Sequence, residues 1–191
     1  MFGTITDSRW TTKLCYGKYT HMVEIACGDG LEDPLPWAKA TLRNGFRTNS
    51  DYTPSRRKRS IRFYTLSQDH DTLSRRYADR VVARRRPFSD QAEAALLDGM
   101  VLQIRPRLFY NRFRYSVKLH CRPGRFEQLT DWVGNAFMGD RHTHRLTRSP
   151  YLPILYLRDP SDLLLVRMAQ PARIIEIAMA CTDTEVLKAI R

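Results

Sequence analysis

The 191-residue sequence has no apolar run approaching the length of a membrane-spanning helix. Its first ten residues lack a basic segment followed by an apolar stretch, so no secretory leader is expected. Cysteine is scarce, at Cys15, Cys27, Cys121 and Cys181, and none forms a CxxC pair. Cys27 and Cys121 end apolar, strand-like runs where a thiol acts as a small hydrophobe. All four read as reduced, structural thiols of a cytoplasmic compartment. Catalytic signatures are missing too. Gly28-Asp29-Gly30 lacks the Lys-Ser/Thr of a phosphate-binding loop, and no GxSxG, HExxH or dinucleotide fingerprint occurs. The RNA-recognition-motif signature, Lys/Arg-Gly-Phe/Tyr-Gly/Ala-Phe, is also absent.

Lysine is the other scarcity, with 6 Lys against 26 Arg. Lys+Arg total 32 against 20 Asp+Glu, a formal net charge of +12 at pH 7. Residues 1–95 carry 17 basic and 11 acidic side chains, and residues 96–191 carry 15 and 9, so each half is +6. The charge is therefore spread over the folded body. Such a field favours nucleic acid or another polyanion, and guanidinium forks match phosphate and stack on bases where an ammonium cannot. Hydrophobic residues at 42%, with aromatics at 10%, are too many for a disordered basic tail.

The chain also matches itself at a shift of 91 to 95 residues. Tyr19 to Cys27 parallels Phe113 to Cys121, with Val23/Val117, Ile25/Leu119 and Cys27/Cys121 in register. Trp37 and Trp132 follow in helical patterns. Leu66/Leu157, Asp71/Asp162 and Leu73/Leu164 form a third match. Ser89-Asp90 and Thr182-Asp183 open a fourth, each a capping residue followed by Asp.

Periodicity fills in the elements. Residues 113–121 alternate strictly and read as a half-buried strand. Residues 125–137 place Phe126, Leu129, Trp132, Val133, Ala136 and Phe137 at helical spacing. Strands are expected at 152–157 and 162–168, joined by Asp159-Pro160-Ser161, with a further apolar run at 173–180 and a capped helix at 182–190. In the first half, strands are expected at 18–27, 60–66, 71–78 and 80–84, and helices at 35–45 and 89–99. The segment 101–110 reads as a bridge, and the residues before 18 as an extra arm or edge strand. The fold class is α+β: two tandem ferredoxin-like (βαββ-α) modules, an internal duplication packed as a pseudo-dimer. The expected domains are 1–100, a basic module with an N-terminal arm, and 101–191.

Two basic loops occupy equivalent positions in the repeat, 47–60 and 138–151. The first offers Arg47, Arg56, Arg57, Lys58 and Arg59 for phosphates and Tyr52 for stacking on a base. The second offers Arg141, His142, His144, Arg145 and Arg148. A separate run, Arg84-Arg85-Arg86, is either a third contact or a solvated connector. Arg105, Arg107, Arg112 and Arg114 are interleaved with Phe109, Tyr110, Phe113 and Tyr115, a mixture suited to a sheet-face platform for single strands or to an ordinary core strand. The pattern points to an RNA- or single-stranded-DNA-binding protein, without cofactor, metal or membrane, able to form a homo-oligomer. Two alternatives stand beside it. One is a virion-type assembly protein that neutralises nucleic acid. The other is a metal-independent ribonuclease using His142, His144 or His70. His142-Thr-His144 alone does not supply four zinc ligands.

Overall fold

The computed structural model describes residues 7–28, 30–53, 58–137, 144–169 and 172–190, with backbone only for 7–9, 51–53, 58–59 and 190. The chain is a mixed α+β protein that divides into two compact units, Met1–Leu97 and Asp98–Arg191. The first contains β1 (Asp7–Trp10), β2 (His21–Cys27), α1 (Pro34–Thr41), β3 (Arg47–Thr53), β4 (Lys58–Thr65), α2 (Ser67–Arg76), β5 (Val81–Arg86) and α3 (Asp90–Leu97). The second contains β6 (Val101–Arg105), β7 (Tyr115–His120), α4 (Phe126–Ala136), β8 (His144–Leu146), β9 (Ile154–Leu157), α5 (Pro160–Ala169), β10 (Arg173–Thr182) and α6 (Asp183–Ile190).

Each unit holds one five-stranded sheet, in the orders β1-β5-β2-β4-β3 and β6-β10-β7-β9-β8. The succession of elements is the same in both, β-β-α-β-β-α-β-α. In each, the first strand is an edge that pairs in parallel with the last (β1 with β5, β6 with β10), and the other pairings are antiparallel.

The alternation of β2 decides which face of the first sheet is covered. Val23 lies opposite Phe63 and Ile25 opposite Ile61. These four side chains form the core with Ala38 and Leu42 of the α1 region and Leu73 and Tyr77 of the α2 region. The second sheet repeats the pattern, with Val117 opposite Leu155 and Tyr115 opposite Leu157, all buried. Helices α1 and α2 therefore cover one face of the first sheet, as one-sided burial of an antiparallel sheet requires, and α4 and α5 bury Leu129, Val133, Leu163 and Val166 in the second unit. The opposite faces carry Met22, Arg47 and Tyr64 in the first unit and Ser116, Tyr156 and Ala180 in the second.

Several sequence expectations give way here. Residues 71–76 and 162–168 are helical, in α2 and α5, where strands were expected over 71–78 and 162–168. In α2 the buried positions are Asp69, His70, Leu73 and Ser74, a helical stripe whose polar members hide its period. In α5 Leu163 and Val166 are buried while Leu164 is 59% exposed, so a continuous apolar run masks a single buried seam. The match of Leu73 with Leu164 is accordingly out of register, since Leu73 is fully buried. The span 47–60 is largely strand, not loop: β3 and β4 pair from Arg47↔Tyr64 to Thr53↔Lys58. Residues 101–105 are not a bridge but edge strand β6, and Pro106 follows it directly. The βαββ-α order is thus replaced by the longer succession above.

Candidate nucleic-acid interface

The uncovered sheet faces bring together residues that lie far apart in the chain. In the first unit the segment between β1 and β2 closes a tight turn. Cys15 N–H donates to the Tyr19 carbonyl at 2.8 Å, and Tyr19 N–H donates to the Cys15 carbonyl at 3.0 Å. The turn forces two residues into left-handed backbone, Tyr16 (φ 53°) and Gly17 (φ 69°). That conformation sets the Tyr16 ring over the sheet, edge-on to Tyr64 with centroids 4.9 Å apart at 80°. Tyr64 lies opposite Met22 on β2 and opposite Arg47 on β3, so all three side chains share the face away from the helices. The Arg47 guanidinium covers the Tyr16 ring at 4.3 Å from its centroid.

The second unit builds the same arrangement from different residues. Phe109 and Phe113 exchange the equivalent backbone bonds, at 3.0 and 2.9 Å, and Tyr110 (φ 48°) and Asn111 (φ 62°) are left-handed. Tyr110 stands edge-on to Tyr156, 4.9 Å apart at 86°. Tyr156 lies opposite Ser116 on β7 and Arg145 on β8. Arg145 sits 3.8 Å above the Tyr110 centroid, and Arg105 sits 4.3 Å above that of Phe109. Tyr16 and Tyr110 remain about half exposed, at 48% and 46%.

The electrostatics are consistent between the units. Burial, then the neighbouring Tyr16, raises the Tyr64 phenol above its ordinary pKa, and burial, then Tyr110, does the same for Tyr156. Both inner phenols thus stay protonated at neutral pH. Among the described residues, Arg47, Arg105 and Arg145 have no carboxylate within ion-pair distance. Each unit thus presents a guanidinium, unpaired with any described carboxylate, lying on a half-exposed ring, a surface suited to stacking a base beside a phosphate.

The sequence-derived candidates divide among several environments. Arg47 and Arg145 belong to the two clusters. Arg148 is exposed beyond β8. Tyr52 and Arg59 face each other across β3 and β4, and Lys58 pairs with Thr53; their side chains lie outside the description. Arg56, Arg57, Arg141 and His142 lie outside the described residues. The run Arg84-Arg85-Arg86 is split by the alternation of β5. Arg85 lies opposite Met22 on the uncovered face, and Arg84 lies opposite core residue Val23. His144 occupies the opposite face from Arg145, across from Leu157, and stacks on Phe137 with centroids 5.1 Å apart.

His70 lies within α2 and is buried against His21 with ring centroids 4.9 Å apart. Burial, then His70, lowers the His21 pKa to about 4. Burial likewise lowers that of His70, opposed by the Asp71 carboxylate 3.2 Å from its Nδ1. Both imidazoles are therefore neutral at pH 7. The Thr20 hydroxyl donates to Glu93 of α3 at 2.7 Å and lies 2.8 Å from His21 Nδ1.

Tyr16, Tyr64 and Tyr156 were missed as site residues. The signal was present in the turn itself. Cys15-Tyr-Gly-Lys-Tyr19 and Phe109-Tyr-Asn-Arg-Phe113 align at the 94-residue offset of the strands that follow them. No protein-family model matches this sequence, and comparison with curated proteins finds no significant relative.

Proposed function

We propose that this protein binds single-stranded nucleic acid, RNA or DNA, across the uncovered faces of its sheets. The observation that carries the reading is the recurrence, once in each unit, of a half-exposed tyrosine supported edge-on by a second tyrosine and overlaid by an arginine. Aromatic faces accept any base, and guanidinium groups supply both stacking and phosphate neutralisation. The net charge of +12 supplies the long-range attraction. The Arg56–Arg59 and Arg141–Arg148 segments add phosphate contacts at the β3–β4 and α4–β9 connections. We read each unit as a ferredoxin-like module with an added edge strand, and the chain as an internal duplication. The shared succession of elements, the shared strand order and the paired turns support that history.

The test is fluorescence anisotropy with a labelled single-stranded oligonucleotide across a salt series. The logarithm of affinity should fall linearly with log salt, with a slope of about −0.7 per phosphate neutralised. Tyr16→Ala and Tyr110→Ala should each weaken binding by about 1–3 kcal/mol, with little change in slope. Replacing Arg56, Arg57, Lys58 and Arg59 together should flatten the slope. Binding insensitive to salt and to both tyrosine variants would refute the reading.

A further inference from the structure

Beside the Tyr110–Tyr156 pair the second sheet opens into a cleft of about 530 Å³, within the size range of small-ligand sites. Its aromatic side is formed by Phe109, Tyr110 and Tyr156, and its cationic edge includes Arg105. The floor is mostly polar, with Gln103, Ser116, Lys118 and Glu176, and Ile154 of β9 lies beside Lys118. Lys118 and Glu176 are register partners on neighbouring strands β7 and β10, so a donor and an acceptor stand side by side. Neither they nor Gln103 forms a side-chain hydrogen bond or ion pair with another described residue.

The first unit has the same tyrosine pair but a different floor. Met22 stands where the second unit has Ser116, each opposite the inner tyrosine. Glu24 stands where the second unit has Lys118, and Ala83 where it has Glu176. Glu24 is already satisfied, accepting from Arg62 Nε at 3.0 Å and from the Ser60 hydroxyl. The first floor is therefore apolar or self-paired, while the second leaves a free ammonium, a free carboxylate and a free amide beneath an aromatic wall. Hydrogen bonds to a base edge give discrimination; stacking alone does not.

Resting on the single-strand reading above, we infer that the second-unit cleft is a base-reading subsite that selects one nucleotide by its hydrogen-bonding edge, while the first-unit cluster holds the strand without regard to sequence. The base lies against Tyr110 and Tyr156, its edge meets Lys118, Glu176 and Gln103, and Arg105 and Arg145 take the adjoining phosphates. The carboxylate can accept only from an exocyclic amine or ring N–H, and the ammonium can donate only to a carbonyl or ring nitrogen. A base presenting both groups together is preferred to one presenting either alone.

The full-length protein is titrated against fluorescein-labelled oligoadenylate, oligocytidylate and oligouridylate ten-mers, and against mixed ten-mers carrying a single guanosine in oligouridylate. One base should be bound about tenfold more tightly than the weakest. Glu176→Gln and Lys118→Met, both at exposed positions, should each reduce the preference to within about threefold. Gln103→Ala provides a third, independent probe of the floor. Tyr16→Ala should weaken all the oligonucleotides by a similar factor and leave the ranking intact. Melting curves matched to the wild type exclude misfolding of a variant. Equal affinities for all probes, or a ranking that survives both Glu176→Gln and Lys118→Met, would overturn the subsite while leaving single-strand binding in place. No binding of any probe at low salt would overturn both.

Discussion

The left-handed turn residues are where single side chains decide the geometry of the candidate site. Tyr16 and Tyr110 both sit at positive φ, a conformation that costs a non-glycine residue about 1 kcal/mol. In each turn that strain accompanies the ring's position over the uncovered sheet face. Gly17 (φ 69°) occupies the adjoining position in the first turn, and a methyl group there would meet nothing within 4 Å. Gly17→Ala therefore tests backbone strain without a steric clash. It should destabilise by about 1 kcal/mol, read as a lower denaturant midpoint. Gly134 gives the opposite sign: it is exposed within α4, and a methyl group there also meets open space. Gly134→Ala should stabilise by about 0.5–1 kcal/mol, because alanine loses less backbone entropy in a helix. If Gly17→Ala leaves the midpoint unchanged or raises it, conformational strain at Gly17 is not the controlling term.

At the scale of elements, the histidine pair couples α2 and β2, with Thr20 adjoining His21 and Glu93 of α3 close by. The titratable and charged groups around it are Glu93 on α3, Asp71 on α2, and Arg84 and Arg86 on β5. A histidine whose folded pKa is depressed binds its proton more readily when unfolded. Stability is then complete above about pH 6.5 and is lost as pH falls toward the folded value of about 4. Over that window His21 should cost the first unit roughly 2 kcal/mol. Urea midpoints at pH 7.5 and pH 4.5 should show this loss in the wild type and a much smaller one in His21→Phe/His70→Leu. An equal loss in both proteins would exclude the pair as its source. The same elements show what the sequence made legible. Strict alternation revealed β7, the amphipathic stripe revealed α4, and Thr182 with Glu185 forms the capping box that opens α6. Hidden were α2, whose buried stripe includes Asp69, His70 and Ser74, and α5, whose leucine run resembles a strand. The arginines on β3 and β8 were recognisable as cationic. Their position over a tyrosine was not, because it depends on strand register and on a turn that interrupts the periodic pattern.

At the scale of the molecule, the two units differ in how they satisfy their interiors while sharing one succession of strands. Each has its own sheet, its own helix-covered core and a net charge of +6 on its half of the chain. Near 95 residues, a domain buries enough surface to be marginally stable without disulfides or metal. Separate expression of Met1–Leu97 and Asp98–Arg191 should therefore yield two folded fragments, each with a cooperative thermal transition. Where the second fragment begins is decided by one contact. Arg167 of α5 donates to the Asp98 carboxylate at 2.8 Å and to the Asp98 carbonyl at 3.0 Å. A fragment starting at Met100 loses both bonds and should melt lower, by an amount corresponding to about 0.5–1 kcal/mol, since the pair is partly exposed. The longer second fragment should keep the base ranking of the full chain while binding more weakly, because the first unit's guanidinium and tyrosine contacts are gone. Fragments that melt without cooperativity would show that the two cores do not stand alone. A folded second fragment that has lost the ranking would show that base selection requires the first unit.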